Sequence, residues 1–347
     1  MKALRILLFL LLSPVVNAQD RFTIESIDIY GLRSIKESEV RAQLPFSEGD
    51  AVQLDVGEIS DTVAAELGVA RVEIAGVCCT DSGGAVAYVG VEESSGQSPP
   101  YLPSPVGDTR LPAEVVETSV ALDEAIFAAV RRGEAGEDRS QGHSLIEAPD
   151  ARVLQMKFVG FADVYWEALL EVLHQSRDAS QRAIAAQVIA YASDKSAVVP
   201  HLVRAALDAD DGVRNNATRA LGVIATYANE NPSLHIEIPP EPFIDMLWSV
   251  SQTDRNKASF LLMVLTESHD PLLMSRLRAR ALFPLIEICN WSWDGHSLPA
   301  CLILERALGL PGAGPPYSEE DKRRLTEAAM PFLSVDLRAA ADRFIAD

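Results

Sequence analysis

Positive charge and cysteine are scarce in this sequence, and recognisable catalytic motifs are absent. Thirty Lys and Arg stand against 50 Asp and Glu in 347 residues, a formal net charge of -20. Such a surface repels phosphate backbones and anionic lipid head groups, so nucleic acid is not the expected partner. The acidity reads as a device for solubility, with steering toward a basic partner as the alternative. Only four cysteines occur, Cys78, Cys79, Cys289 and Cys301, too few for a disulfide scaffold. None of the six histidines, His143, His174, His201, His235, His269 and His296, stands at metal-ligand spacing from another. His174 and His201 are expected at helix ends, where a cation is welcome. There is no G-x-x-x-x-G-K, no G-x-S-x-G and no H-E-x-x-H. The expectation is a non-enzyme, with no catalytic residue, no cofactor and no metal.

Long apolar runs are confined to the start. Lys2 and Arg5 precede a run from Leu4 to Leu12 of nearly continuous Leu, Ile and Phe; Pro14 breaks it, and Val16-Asn17-Ala18 supplies small residues. This is the pattern of a signal peptide over residues 1–18. It implies export to a periplasm or beyond the cell, an uncleaved anchor being the alternative. No cysteine follows that would accept a lipid, and no later segment reaches the roughly 20 apolar residues that span a bilayer. With 48% hydrophobic residues the remainder can bury a sizeable core.

Three textures follow: mixed strand and helix patterns over 22–93, a Pro/Ser-rich linker over 94–112 and helical patterns from 113 onward. In the first, Ile27 and Ile29 alternate about Asp28 as in a half-buried strand ended by Gly31. Ser34 and Glu37 have capping-box spacing for a helix that Pro45 stops, and Asp55 and Glu58 repeat it before Val56, Ile59, Val63 and Leu67. A strand begins at Val72 and Ile74, a turn falls at Asp81-Ser82-Gly83-Gly84, and a last strand runs from Val86 to Val91. The order is strand, helix, helix, strand, strand. With Ile27-Asp28-Ile29-Tyr30-Gly31, Gly49-Asp50 and the closing Tyr88-Val89-Gly90-Val91-Glu92-Glu93, this α+β module resembles a POTRA domain. The resemblance implies recognition of polypeptides by strand addition to a sheet edge and association with an outer-membrane or envelope complex. No β-barrel pattern follows, which departs from the usual setting of such domains.

The strongest pattern is Asp210-Asp211-Gly212-Val213-Arg214-Asn215-Asn216-Ala217-Thr218-Arg219-Ala220-Leu221-Gly222. Its acidic start suits a helix N-terminus, and Val213, Ala217, Leu221, Ile224 and Ala228 line one face. The segment resembles the second helix of a HEAT repeat. Asp178 and Arg182 repeat the frame with Ala185 and Ile189; Arg255, Ala258 and Leu262 repeat it, as do Arg338, Ala341 and Ile345, with Ala300 and Leu304 as a weaker copy. Intervals of 32, 41, 42 and 41 residues predict an all-α HEAT-like solenoid of about five stacked helical hairpins over 159–347. Asp178, Arg182, Asp210, Arg214, Arg255 and Arg338 are read as structural, each arginine pairing with a carboxylate of its own or the next repeat.

Residues 113–158 read as an amphipathic helix with Val116, Val120, Phe127 and Val130 apolar, then a flexible polar connector from Gly133 to Gly142. The helix either caps the solenoid or docks on the first domain. Cys289 and Cys301 fall near the joined ends of one hairpin and form either a disulfide or two buried thiols; adjacent Cys78 and Cys79 are poorly placed to pair with each other. Trp291-Ser292-Trp293-Asp294-Gly295-His296 lies in a hairpin turn. There Trp291, Trp293 and His296 either anchor a partner or pad the helix ends. The favoured function is an exported adaptor or scaffold binding a protein or peptide, of undefined oligomeric state. The alternatives are a hydrolase or lyase with dispersed site residues, since HEAT-like repeats occur in proteins resembling bilin lyases, and a structural subunit of an envelope assembly or secretion complex.

Overall fold

A computed structural model describes residues 22–52, 57–78, 80, 83–94, 96–310, 312 and 314–345. The residues assigned above to the signal peptide lie outside this set, as do Asp55, Val56, Cys79, Asp81 and Ser82. In chain order the first elements are β1 (Phe22–Tyr30), α1 (Glu37–Gln43), β2 (Ala51–Val52), α2 (Gly57–Leu67), β3 (Arg71–Cys78) and β4 (Ala85–Glu92). Next come α3 (Ala113–Arg131), β5 (Glu137–Asp138), β6 (Leu145–Ile146), α4 (Pro149–Val164), α5 (Trp166–Gln175), α6 (Ala179–Ile189), α7 (Lys195–Ala205) and α8 (Asp211–Glu230). The last are α9 (Glu241–Met246), α10 (Gln252–Leu265), α11 (Pro271–Arg280), α12 (Leu282–Cys289), α13 (Asp294–Leu308), α14 (Glu319–Ala329) and α15 (Val335–Ala341). A mixed sheet with short helices is thus followed by a helical repeat region. None of the described helices is long and apolar enough to cross a membrane.

The chain forms two compact units that do not follow sequence order. One is Pro100–Pro242; the other unites the described residues before Pro100 with those from Phe243 onward. In the second unit the sheet has strand order β2-β1-β4-β3, with β1 parallel to β4 and antiparallel to β2, and β3 antiparallel to β4. Alternation along β4 serves two cores. Ala87, Val89 and Val91 join Ile24, Ile27, Ile29, Val40 and Val63 in the core between sheet and α1/α2. Val86 and Tyr88 are also buried, and α10 packs against β4. Gly90 permits the close approach, because a Cβ there would sit 2.0 Å from the Val250 carbonyl oxygen.

The helix starts differ in detail from the spacing rule. α1 begins at Glu37, and Glu39 accepts the Lys36 amide at 2.8 Å. Ser34 instead serves Glu93, whose carboxylate gathers the amides of Arg33, Ser34 and Ile35 at 2.7, 2.9 and 3.2 Å. Burial raises the Glu93 carboxyl, but hydrogen bonds from the Ser34 hydroxyl and these amides outweigh it and hold the group below its ordinary value.

In the first unit α3 buries Val115, Thr118, Ser119, Leu122, Ile126 and Ala129. That is a different stripe from Val116, Val120, Phe127 and Val130, and Val120 is 53% exposed. A helix apolar on most of its circumference does not announce which face its neighbours cover. Gly133 to Gly142 is not a free connector either: it carries β5 and leads into β6, the two strands pairing at Glu137–Ile146 and Asp138–Leu145. The segment after Pro100 is tied to the repeats. Leu102 donates to the Leu207 carbonyl at 2.7 Å, Gly107 to Gln175 at 2.8 Å, and Leu111 to the Gln181 side chain at 2.8 Å.

Candidate functional site

Three inner helices of the repeats open with the same local device. Asp178, Asp210 and Ser334 accept amides at the starts of α6, α8 and α15, satisfying donors that have no partner within the helix. One turn in, an arginine folds back on the preceding turn. Arg182 donates to Ser176 O at 2.9 Å, Arg214 to Asp208 O at 2.9 Å, Arg255 to Ser249 O at 2.6 Å and Arg338 to Leu333 O at 2.9 Å. Arg182 also grips Asp208 of the next repeat through two bonds of 2.8 and 2.7 Å, and Arg255 meets Glu287 at 2.8 Å. Both pairs are buried, so each carboxylate neutralises a charge that could not stand alone there. Arg214 lies 3.9 Å over the Tyr101 ring, and Asp178 pairs with Arg110. These residues knit one repeat to the next and to flanking chain.

Between α6, α8 and the β5–β6 hairpin lies a cleft of about 30 Å³, lined by Gly142, His143, Gln187, Tyr191, Asn216 and Arg219, among others. Asn216 donates to Ala183 O at 3.0 Å, and Ser119 to Gln187 at 3.3 Å, so the two amide side chains are held in place. Tyr191 donates to Ser144 O at 2.8 Å and accepts from Gln155 at 3.0 Å. Buried Glu137 is paired with Arg139 at 2.7 Å and with Arg219. Burial raises the Glu137 carboxyl, but the two guanidinium groups prevail and hold it below its ordinary value. Gly142 has a φ of +71°, and a Cβ would stand 2.8 Å from the Tyr227 ring. The hairpin tip therefore needs a glycine to lie so close to α8.

The aromatic motif is placed away from this cleft, inside the second unit. Trp291 and His296 are each 2% exposed, while Trp293 is half-buried. Trp291 sits against Tyr30 and Tyr88, with ring centroids 5.5 and 4.9 Å away, and His296 Nδ1 is 2.8 Å from Tyr88 Oη. Ser292 donates its amide to Asp28 at 3.0 Å. The motif thus fastens sheet to helices, and burial removes Trp291 and His296 from any surface role. Cys289 and Cys301 are joined by a disulfide that ties the end of α12 to α13. Cys78 is also disulfide-bonded.

His174 and His201 come together at 3.0 Å between Nε2 and Nδ1. His174 does lie in the last turn of α5, but His201 is inside α7. Burial, then His201 and Arg204, push His174 down to about 4, and burial also lowers His201, so neither serves as a cation near neutrality. Among the described residues no three His, Cys, Asp or Glu gather as metal ligands. Sequence reasoning missed His143, Gln187, Asn216 and Arg219 as a group. The signal lay in the polar positions of the inner helices, one turn past the arginine frame, but nothing in the chain indicated that the hairpin would close over them.

Residues 166–233 match the family model for HEAT repeats. That stretch consists of HEAT-type helical repeats. Among solved structures, one designed armadillo repeat protein matches at 16% identity and TM-score 0.35, over 56% of this chain and 92% of its own. A second, a designed armadillo repeat protein in complex with the peptide (KR)4, matches at 16% identity and TM-score 0.33, over 57% of this chain and 93% of its own. No curated protein matches the chain.

Proposed function

We propose that this chain is an exported, non-catalytic adaptor of the cell envelope whose repeats hold a peptide or protein segment of a partner. The observation that carries this reading is the cleft within the HEAT-type repeats. Two successive inner helices bring Gln187, Asn215, Asn216 and Arg219 to its lining. Side-chain amides both donate and accept, which suits the alternating N–H and C=O groups of an extended backbone. Export rests on the charged and apolar pattern of the first 18 residues. The mixed sheet, with β3 at its edge, supports reading residues 22–93 as POTRA-like and able to take a second polypeptide by strand addition.

The test is recovery of partners from envelope extract with the tagged chain, followed by an array of overlapping peptides from each partner. Asn216→Ala and Gln187→Ala together should weaken capture about tenfold, equivalent to about 1.4 kcal/mol. Recovery of background proteins alone, or capture unchanged by both substitutions, would remove the reading.

A further inference from the structure

Two buried donors, on residues that line the cleft, point to the chemical group it takes. His143 is 6% exposed and lies against Tyr191, with ring centroids 5.0 Å apart. The Lys195 ammonium is 3.3 Å from His143 Nδ1 and donates to the Ala190 and Ala192 carbonyl oxygens at 2.8 and 2.7 Å. An ammonium has hydrogens to give and no lone pair to offer, so Nδ1 is the acceptor and the ring hydrogen resides on Nε2. His143 Nε2 has no partner among the described residues. Burial, then Lys195, push the imidazole down to about 4, so the ring is neutral near pH 7. Arg219 gives Nη2 to Glu137 and to Ser144 Oγ, the latter at 3.2 Å, but its Nε also lacks a partner among the described residues. Both donors are on residues that line the one cleft.

We infer that this cleft binds a carboxylate, supplied by an acidic side chain or by the C-terminus of a peptide ligand. The inference rests on the peptide-binding reading and adds the recognised group. An N–H hidden from water and left unmade is costly, and an acceptor seated there recovers the loss. The chemistry of the lining favours an anion: Arg219 is its charged residue, and the Lys195 ammonium stands behind His143, 3.3 Å from Nδ1. One water needs roughly 10–15 Å³ of such space. The cleft's volume of about 30 Å³ therefore has room for the two oxygens of a carboxylate.

The test uses the full chain, labelled with ¹⁵N and titrated with four small probes. N-acetylglycine carries a terminal carboxylate, the α-amide of N-acetylaspartate carries a free side-chain carboxylate, and N-acetylasparagine amide and N-acetylglycinamide are their neutral counterparts. Saturable shifts of the Arg219 Nε–H and of the His143 and Ser144 amides are expected with free carboxylates and not with the neutral amides. The tighter of the two carboxylates identifies the source. His143→Phe keeps the ring beside Tyr191 and removes the Nε2 hydrogen, and should cost at least about tenfold in affinity. If that variant fails to fold, the wild-type His143 Nε2 resonance serves instead and should move on carboxylate addition. Equal responses to neutral and charged probes, no saturable response, or tighter binding of inorganic phosphate would overturn the inference. Peptide arrays separate the two claims. Capture blind to acidic residues and free C-termini keeps the adaptor and removes the carboxylate site; carboxylate saturation with no peptide captured does the reverse.

Discussion

The two units use the same kind of inner helix in opposite ways. In the unit spanning Pro100–Pro242, α6 and α8 present Gln187, Asn216 and Arg219 at a cleft. In the other, the corresponding helix α10 is covered: Gln252, Asp254, Arg255, Asn256, Lys257 and Ser259 are all buried. Their cover is shared between α13, whose His296 lies 3.2 and 3.4 Å from the Gln252 and Asn256 side-chain amides, and the protein's own sheet. Tyr30 donates to Val250 O at 2.7 Å and lies 4.4 Å from the Arg255 guanidinium, while Gly31 gives its amide to Glu287 at 2.8 Å. In one unit the polar inner helix is covered internally, and in the other part of it stays at a cleft beneath the β5–β6 hairpin.

The largest expected effects come from breaking the buried pairs separately in each unit. Glu287 is fully buried and takes donors from Arg255, Arg343 and Gly31. Glu287→Gln should cost about 3–5 kcal/mol in chemical denaturation, with increased hydrogen exchange confined to the unit that holds the sheet. Asp208→Asn should cost a similar amount and loosen the other unit, because it leaves Arg182 buried without its charge partner. Exchange that rises equally in both units after either substitution would dissolve the comparison.

Gly90→Ala should destabilise by about 1–3 kcal/mol, since its Cβ would collide with backbone of the α9–α10 turn and part the sheet from α10. Asp210→Ala removes a helix cap in the other unit and should cost about 0.5–2 kcal/mol.

A further effect is a pH dependence. Burial pushes the Asp28 carboxyl up to about 6 against hydrogen bonds from Ser292. A carboxyl raised on folding contributes stability below its unfolded value near 3.8, and the contribution is lost as pH rises through about 6. Over that window the wild type should lose stability relative to Asp28→Asn, read from denaturation midpoints at several pH values.

Legibility in the sequence followed the range of the interactions. The repeat frames at Arg182, Arg214, Arg255 and Arg338 could be read because caps, an i−6 or i−5 arginine bond and small residues one turn on are all local. The strands near Ile27, Val72 and Val86 could be read from alternation. What closes over these elements could not. Tyr88 and His296 are 208 residues apart, and Asp28 and Ser292 are 264 apart, so the chain near Trp291 allowed padding of the helix ends but did not foretell the sheet that buries it. The polar run after Gly133 looked unstructured because Glu137 finds Arg219 across 82 residues. Composition records that a charge is present, whereas its partner is fixed only by the fold.

Hydrogen exchange of the full chain, with and without the best-binding peptide from the array, tests the central contrast most directly. The account predicts protection on α6, α8 and the β5–β6 hairpin, with α10 unchanged because the sheet and α13 already cover it. Protection on α10 with none on α6 and α8 would contradict it.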